Sequence, residues 1–336
     1  MARPRLIDVA ARAGVSRTAA SAALGGYGRV AESTRARVKE AAEALGYETN
    51  RVARDLRTRR ASAIGLYLPN GSSGHAYYME FAFGAAERAR AAQYPVVLLA
   101  AGESDSALAR DLVGGYVIVD PLDDDDFVHR IIGQEKPVIS GEAPENPESV
   151  TAVVAADHHT MMGRVLDHLD AQGARRPALI SPPQTSSWAR QINSAYENWC
   201  LAHARKSAVT VAPFIADPSA IGPPLQNLFD GPEKPDAIVC AQDEIAAAVA
   251  GILGGWGYVI GTDLLLVSYV DSLSNRLNSP PITAVDLRPR EHGAHCAELL
   301  LDVLRDEAPR DGAPAIVAHD IELYVRTSTT GSPRTS

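Results

Sequence analysis

From Ala63 onward the sequence alternates short apolar runs with longer helical stretches, and that alternation leaves few architectures open. The runs begin with AIGLYLP, PVVLLAA, YVIVDP, PVIS and VTAVVAAD. After a helical stretch come PALIS, VTVAPF, AIVCAQD, LLLVSYVD, ITAVD and IELYVR. Near-continuous apolar strands separated by helices belong to α/β folds, with parallel sheets covered on both faces. Roughly 270 residues exceed one comfortable doubly wound sheet, so the pattern predicts two such subdomains with a cleft between them. Ligands in such folds sit beyond the carboxyl ends of the strands. Pro223–Pro224 and residues 328–336 read as loop and frayed tail.

Charge divides the chain at about the same place. Residues 1–60 hold 13 Lys/Arg against six acidic residues, a net +7. The rest holds 19 basic and 35 acidic side chains, a net −16, which gives −9 overall. A basic head on an acidic body points to a polyanion partner for the head alone. With 46% hydrophobic residues the chain can build a core without disulfides. Cys200, Cys240 and Cys296 are widely separated, so buried thiols in a reducing cytosol are expected. Residues 1–15 lack the apolar run of a signal peptide, and no apolar stretch of membrane-spanning length occurs. The expected location is the cytoplasm. The acidic run Asp123–Asp126 reads as a solvated loop, and His158 and His159 lack the companions of a metal site. No nucleophile elbow, phosphate loop or zinc-protease motif occurs, so nothing supports an enzyme, and no cofactor or metal is expected.

The head has its own pattern. Leu6, Ile7, Val9, Ala10 and Ala13 fall at helical spacing, and Gly14 ends that helix where a left-handed residue is wanted. Ser16 can cap a second helix running to about Leu24. A third begins near Ser33, turns Val38, Ala41, Ala42 and Leu45 inward, and stops at Gly46. Two short helices across a Gly-containing turn, braced by a third, form a helix-turn-helix. The segment TNRVARDLRTRR that follows is too short to be a stable helix alone in water.

The stretches LIDVAARAGVSRTAASAAL and VAESTRARVKEAAEALGYETNRVARDLRT resemble the head of lactose/galactose-repressor (LacI/GalR) regulators. The matched positions include Asp8, Val9, Ala10, Gly14, Val15, Ser16, Ser21, Leu24, Thr34, Arg35, Gly46, Tyr47, Asn50, Ala53 and Leu56. The resemblance implies a sequence-specific, DNA-binding transcription regulator: a repressor that grips a palindromic operator as a homodimer. It assigns base contacts to Arg17, Thr18 and position 22, and phosphate contacts to Ser16 and Ser21. Leu6, Thr34, Asn50, Arg51, Ala53 and Arg54 complete the implied DNA contacts. Leu56 would be wedged into the minor groove from a hinge helix that forms only on DNA. Ala22 stands where the family carries Arg, and it can reach only a thymine methyl, so an operator unlike the family's usual one is expected. The implied organisation is a helix-turn-helix domain at 1–48, a hinge at 49–60 and an effector-binding, dimerising body at 61–336. Within the body, one subdomain would span about 61–157 plus 287–319, the other about 158–286 plus 320–330.

The resemblance continues through DHLDAQGARRPALI, AIVCAQDEIAAAV and IELYVRTST, which implies a periplasmic-binding-protein type of body with three crossings near Asp157, Gln242 and Asp286. The effector pocket would draw on Tyr77, Tyr78, Asp157, Trp188, Arg190, Ile192, Gln242, Asp243, Tyr269, Val270 and Asp271, with Tyr196 nearby. Sugar-binding members carry an Arg where this chain has Ile192 and an Asp where it has Val270. These departures predict a less polar pocket. The expected effector is not a typical sugar, or control falls to a protein partner. A solute-binding module without DNA work would fit the body alone, but not the basic head.

Overall fold

Helix α1, Leu6–Ala13, opens the head and buries Val9, Ala10 and Ala13. They meet Ala20 and Ala23 of α2, Arg17–Gly25, and Val38, Ala41 and Ala42 of α3, Glu32–Leu45. These are small side chains, so the three helices approach closely around a thin core. Gly14 closes α1 at φ +63°, and the Val15 N–H returns to the Ala10 carbonyl at 3.0 Å. Only a residue tolerant of the left-handed region fits there. Ser16 then accepts the Ala19 N–H at 3.1 Å, a cap worth about 1 kcal/mol to α2.

The computed structural model describes residues 4–25, 30–45, 47, 63–69, 75–100, 112–213, 217–305 and 313–330. The chain divides into two units, Met1–Ser62 and Ala63–Ser336. The proposed hinge, with Asn50, Arg51, Ala53, Arg54 and Leu56, lies outside the described residues, as does Gly46. No described helix is long and apolar enough to cross a membrane.

The second unit contains two six-stranded sheets. In chain order the first half runs β1 (Ala63–Leu68), α4 (Ala76–Ala91), β2 (Val96–Ala100), β3 (Val113–Val119), α5 (Asp126–Ile132), β4 (Val138–Gly141) and β5 (Ala152–Ala155). Then follow α6 (His158–Ala171), β6 (Pro177–Ser181), α7 (Ser187–Ala202), β7 (Val209–Val211), α8 (Pro218–Phe229), β8 (Ala237–Cys240), α9 (Ile245–Gly255), β9 (Leu265–Ser268) and α10 (Leu273–Leu277). The chain ends with β10 (Thr283–Asp286), α11 (Pro289–Leu304), β11 (Ala315–Ala318) and β12 (Glu322–Tyr324). The first sheet has the order β11-β5-β4-β3-β1-β2 and is parallel throughout. The second has the order β12-β10-β9-β8-β6-β7, with β12 alone antiparallel. Central strands β1, β4, β8 and β9 are buried along their whole length. Helices on both faces impose this, and it is why these strands read as apolar runs rather than alternating ones. The three cysteines are buried free thiols.

The chain passes between the sheets at Ala156–Asp157, at Leu287–Arg288 and at His319–Ile321. Gln242, expected at a crossing, is not at one: β8, α9 and β9 follow one another on the second sheet. The third crossing lies between β11 and β12, where the expected division of the body at 319–320 puts a passage, and not at Gln242. Pro223 and Pro224 lie inside α8 rather than in a loop. Ile221, Leu225 and Phe229, spaced by four, anchor that helix in the core and offset the donors that proline lacks. Residues 328–330 are not a frayed tail either. The Ser328 hydroxyl accepts the Thr283 N–H at 2.8 Å and donates to the Leu266 carbonyl at 2.6 Å, tying the end of the chain to the second sheet.

Helices α4 and α11 cover one face of the first sheet together. They touch backbone to backbone: a Cβ on Gly84 would come 1.9 Å from the Arg290 carbonyl oxygen, and one on Gly293 2.0 Å from that of Phe81. Backbone cannot step aside as a flexible side chain can. Gly84→Ala and Gly293→Ala are each expected to destabilise the body by about 1–3 kcal/mol or more, read as a lower urea midpoint. Gly163→Ala is the control, since nothing lies within 4 Å of its position. An unchanged midpoint for the first two would contradict the close crossing.

Candidate functional site

On the head, Ser16, Arg17 and Thr18 are exposed at the start of α2, while Ser21, Ala22 and Thr34 are half-buried. Leu6 is half-buried against the head's core, so packing already employs part of its side chain. The face offers a guanidinium, two hydroxyls and a helix N-terminus, a combination suited to phosphates and base edges.

In the body, the carboxyl ends of both sheets turn toward one cleft with about 560 Å³ of empty space, part of it open to solvent. The first sheet contributes Asp120, directly after β3, and Glu142, directly after β4. Both have left-handed backbones, at φ +49° and +74°. For residues with a Cβ that conformation costs roughly 1–2 kcal/mol each. Flanking strands hold it in place, through Asp120 N–H to the Gly141 carbonyl at 2.7 Å and Glu142 N–H to that of Val154 at 3.0 Å. The second sheet contributes Gln242 and Asp243 after β8, Tyr269 and Val270 after β9, and Trp188 in the first turn of α7. His75, Tyr77 and Tyr78 enter from the start of α4, His158 from α6 and His292 from α11. The crossings form the rest of the wall through Ala156, Leu287, His319 and Ile321.

These groups are wired to one another. The Tyr78 hydroxyl donates to Asp120 at 2.8 Å. Glu142 Oε1 accepts the Ala156 N–H at 3.2 Å and lies 3.2 Å from His158 Nε2. Tyr269 donates to the His158 carbonyl at 3.2 Å, His292 Nε2 donates to the Val154 carbonyl at 2.8 Å, and the His292 ring stacks on His319. Asp243 Oδ2 accepts the Tyr77 N–H at 3.4 Å and lies 3.9 Å from His75. Glu142 Oε2, Gln242 Oε1 and Asp243 Oδ1 are buried, and among the described residues they have no hydrogen-bond partner. Such groups are rare in folded proteins and are satisfied by water or by a ligand.

Burial dominates the electrostatics. It pushes the Asp120 carboxyl up to about 7 against the donors Tyr78 and Trp188, with the Glu142 charge adding to the rise. Burial, then the neighbouring Glu244, brings Asp243 to about 6. Glu142 is buried too, but the His158 charge and hydrogen bond, and then His292, outweigh desolvation and hold it below its ordinary value. Desolvation takes His292 down to about 4 and lowers His319.

Seven of the expected pocket residues lie on this wall: Tyr77, Tyr78, Trp188, Gln242, Asp243, Tyr269 and Val270. Five residues belong elsewhere. The exposed Asp157 caps α6 through the Thr160 N–H at 2.9 Å. Arg190 pairs with Asp123, reaching from α7 to the loop after β3. Ile192 is fully buried behind the second sheet, because its position on α7 faces the core. Asp271 is clamped by Arg326 at 2.7 Å and Arg276 at 2.9 Å. Tyr196 is a core residue whose hydroxyl donates to the Pro177 carbonyl at 2.8 Å. The acidic run is structural as well: Asp123 pairs with Arg190, and Asp125 caps α5. The surface the cleft exposes is mostly apolar, in line with the expected loss of polarity, but buried polar groups stand in the same wall: three carboxylates and four imidazoles, with no Lys or Arg among the described residues. Asp120, Glu142, His158, His292 and His319 were missed because each is a single residue after a strand or on a helix, with no local spacing to mark it. The signal available was position, since Asp120 and Glu142 directly follow apolar runs.

Fold and cleft together define a ligand-binding α/β body of the periplasmic-binding-protein kind behind a helix-turn-helix head. Residues 5–50 match the family described as bacterial regulatory proteins, lacI family, and residues 166–329 match the periplasmic binding protein-like domain. The regulator CelR of Thermobifida fusca is 28% identical over 97% of this chain and 98% of its own length. The lactose operon repressor of Escherichia coli is 26% identical over 98% and 91%. The structure of a CelR–cellobiose complex superposes with a TM-score of 0.71, at 25% identity, over 97% of this chain and all of that one. A lac repressor dimer bound to operator and the anti-inducer ONPF superposes at 0.81 and 23% identity, over 98% and 100%, a likeness of fold. The chain carries a LacI-family DNA-binding domain and a periplasmic binding protein-like domain, and the relatives that match it over nearly its whole length are transcription regulators, not enzymes.

Asp120 supplies a test of the cleft's electrostatics. An acid raised in the folded state contributes stability that is complete below about pH 4 and is lost as pH rises through about 7. Asp120→Asn mimics the protonated form. Its stability relative to the parent is expected to rise between pH 5 and pH 8, with a ceiling of about 4 kcal/mol, read by urea unfolding at each pH. A difference independent of pH would show that Asp120 keeps its charge at neutral pH.

Proposed function

We propose that this regulator is a repressor that binds a palindromic operator as a homodimer and is controlled by a small molecule in the cleft of its body. The observation that carries this reading is a pair of features on one chain. An exposed Arg17–Thr18 face stands at the start of a capped α2, and a cleft holds buried polar atoms that nothing in the described residues satisfies. In this reading residues 1–48 are the DNA module, 49–60 a hinge, and 61–336 the effector and dimerisation body, at work in the cytoplasm. Arg17, Thr18 and Ala22 read bases. Ser16, whose oxygen caps α2, still has its hydroxyl proton to give to a phosphate, and Ser21 and Thr34 contact the backbone. Asn50, Arg51, Ala53, Arg54 and Leu56 serve the hinge, which folds on DNA. Cleft occupancy biases that folding, so two distinct sites act through one bistable element.

The orphaned buried atoms favour a small molecule over a protein partner, because a surface docking event would leave them unsatisfied. The relative CelR is described in complex with cellobiose. Here the polar wall is built from carboxylates and imidazoles, and Arg190 and Ile192 are occupied elsewhere, so the effector is not a plain hexose or pentose.

Operator selection from random duplexes, followed by titration over a range of salt, tests the DNA half. Affinity is expected to fall steeply with salt as phosphate-bound cations are displaced. Arg17→Ala should cost about 1–3 kcal/mol on the selected operator and much less on unrelated DNA. Equal losses on both would remove base reading by Arg17. Glucose, galactose, ribose and xylose are expected to leave the melting temperature unchanged, and a clear shift with any of them would overturn the exclusion of plain sugars.

A further inference from the structure

We infer that the cleft selects a ligand bearing a protonated nitrogen and rejects carboxylates and phosphates; this rests on the reading of the cleft as the effector site. Asp120, Glu142 and Asp243 arrive from two sheets into one buried space, and among the described residues no Lys or Arg lines it. Glu142 and Asp243 are 4% and 6% exposed, so each is cut off from the water that would otherwise solvate its charge. Each also keeps an oxygen without a donor among the described residues, Glu142 Oε2 and Asp243 Oδ1. An ionised carboxylate is buried only when paired and hydrogen-bonded. For Glu142 the internal counter-charge is the imidazole of His158, 3.2 Å from Oε1, which leaves Oε2 unmet. For Asp243 it is His75 at 3.9 Å, on the side of Oδ2. An ammonium group supplies both the missing charge and up to three donors.

Alternative ligand chemistries fit less well. An anion would meet the ionised Glu142 beside two further carboxyls, and among the described residues no guanidinium or ammonium lines the cleft to receive it. A neutral hydroxyl could donate to the orphaned oxygens, but it would leave the accumulated charge uncompensated. Burial already raises Asp120 to about 7 and Asp243 to about 6, the response of carboxyls that lack a full counter-ion. Trp188 and Tyr78 stand on the same wall, and aromatic faces attract a cation further. The strained backbones of Asp120 and Glu142 fit this account, since two residues are held in an unfavourable conformation that delivers their carboxyls to one place.

The test uses full-length protein and sets of probes that share a frame and differ in charge. One set is D-glucosamine, D-glucose and D-glucuronate. The other is tyramine, tyrosol and 4-hydroxyphenylacetate. Binding is read by titration calorimetry up to about 10 mM, a limit that reaches affinities of only about 3 kcal/mol. In any set that binds, the amine is expected to bind at least about tenfold tighter than the neutral member, with no signal from the carboxylate. Asp243→Asn is expected to weaken the amine at least about tenfold more than the neutral member, which removes most of that preference; its melting curve reports whether it folds. A neutral or acidic member that binds as well as the amine overturns the inference, and so does silence from both amines. The two readings fail separately. A neutral probe that binds and shifts operator affinity removes the amine and keeps the effector site. An amine that binds without shifting operator affinity keeps the ligand class and removes the effector role.

Discussion

The body depends on three chain crossings, at Ala156–Asp157, Leu287–Arg288 and His319–Ile321, which bring the carboxyl ends of two parallel sheets to one cleft. Parallel strands all end on the same side, so a residue placed just after a strand joins the cleft without any help from its sequence neighbours. Asp120, Glu142, Gln242 and Tyr269 come together in this way from segments far apart in the chain. The crossings themselves supply Ala156, Leu287, His319 and Ile321 to the same wall. A change in the angle between the sheets therefore alters every part of the pocket at once, which is the property a sensor needs.

A second link spans the sheets. Arg190 on α7 pairs with Asp123 in the loop after β3, and the Asp123 N–H donates to the Thr185 carbonyl at 2.8 Å. Arg190 is partly exposed, so this link is weaker than the covalent crossings and can be exchanged for water. An arginine free to meet a ligand would have marked a site for anions. Engaged at the rim, it leaves the interior to carboxylates, and both the electrostatics and the inferred ligand class follow from that.

Much of the fold was legible because its causes are local or periodic. Gly14 marked a helix end that needs a left-handed residue, and apolar runs marked strands buried on both faces. Val9, Ala10 and Ala13, with Val38, Ala41 and Ala42, fell at helical spacing and marked the inward faces of two of the head's helices. Where the reading failed, the cause was tertiary. Pro223 and Pro224 stay helical because Ile221, Leu225 and Phe229 are anchored in the core. A crossing was placed at Gln242, which follows a strand end of the second sheet, because a strand end and a passage between sheets look alike in sequence. In the cleft, aromatic residues near strand ends could be found by type. Asp157, Arg190, Ile192 and Asp271 followed the family's positions, but here they cap a helix, pair at the rim, fill the core and hold Arg326. Asp243 was found through its family segment, and Asp120 and Glu142 had only their place after apolar runs to mark them; the imidazoles had no mark of that kind, since their burial exists only once the two sheets face each other.

The central claim is that cleft and operator are coupled, and linkage makes that claim measurable without reference to mechanism. For any ligand that occupies the cleft, the factor by which it changes operator affinity must equal the factor by which operator changes its own affinity. Both quantities can be obtained on the full-length protein at one salt concentration, by anisotropy of a labelled operator and by calorimetry of the ligand. The account predicts a factor clearly different from one, equal in the two directions. A ligand that binds the cleft with the same affinity whether or not operator is present would contradict it.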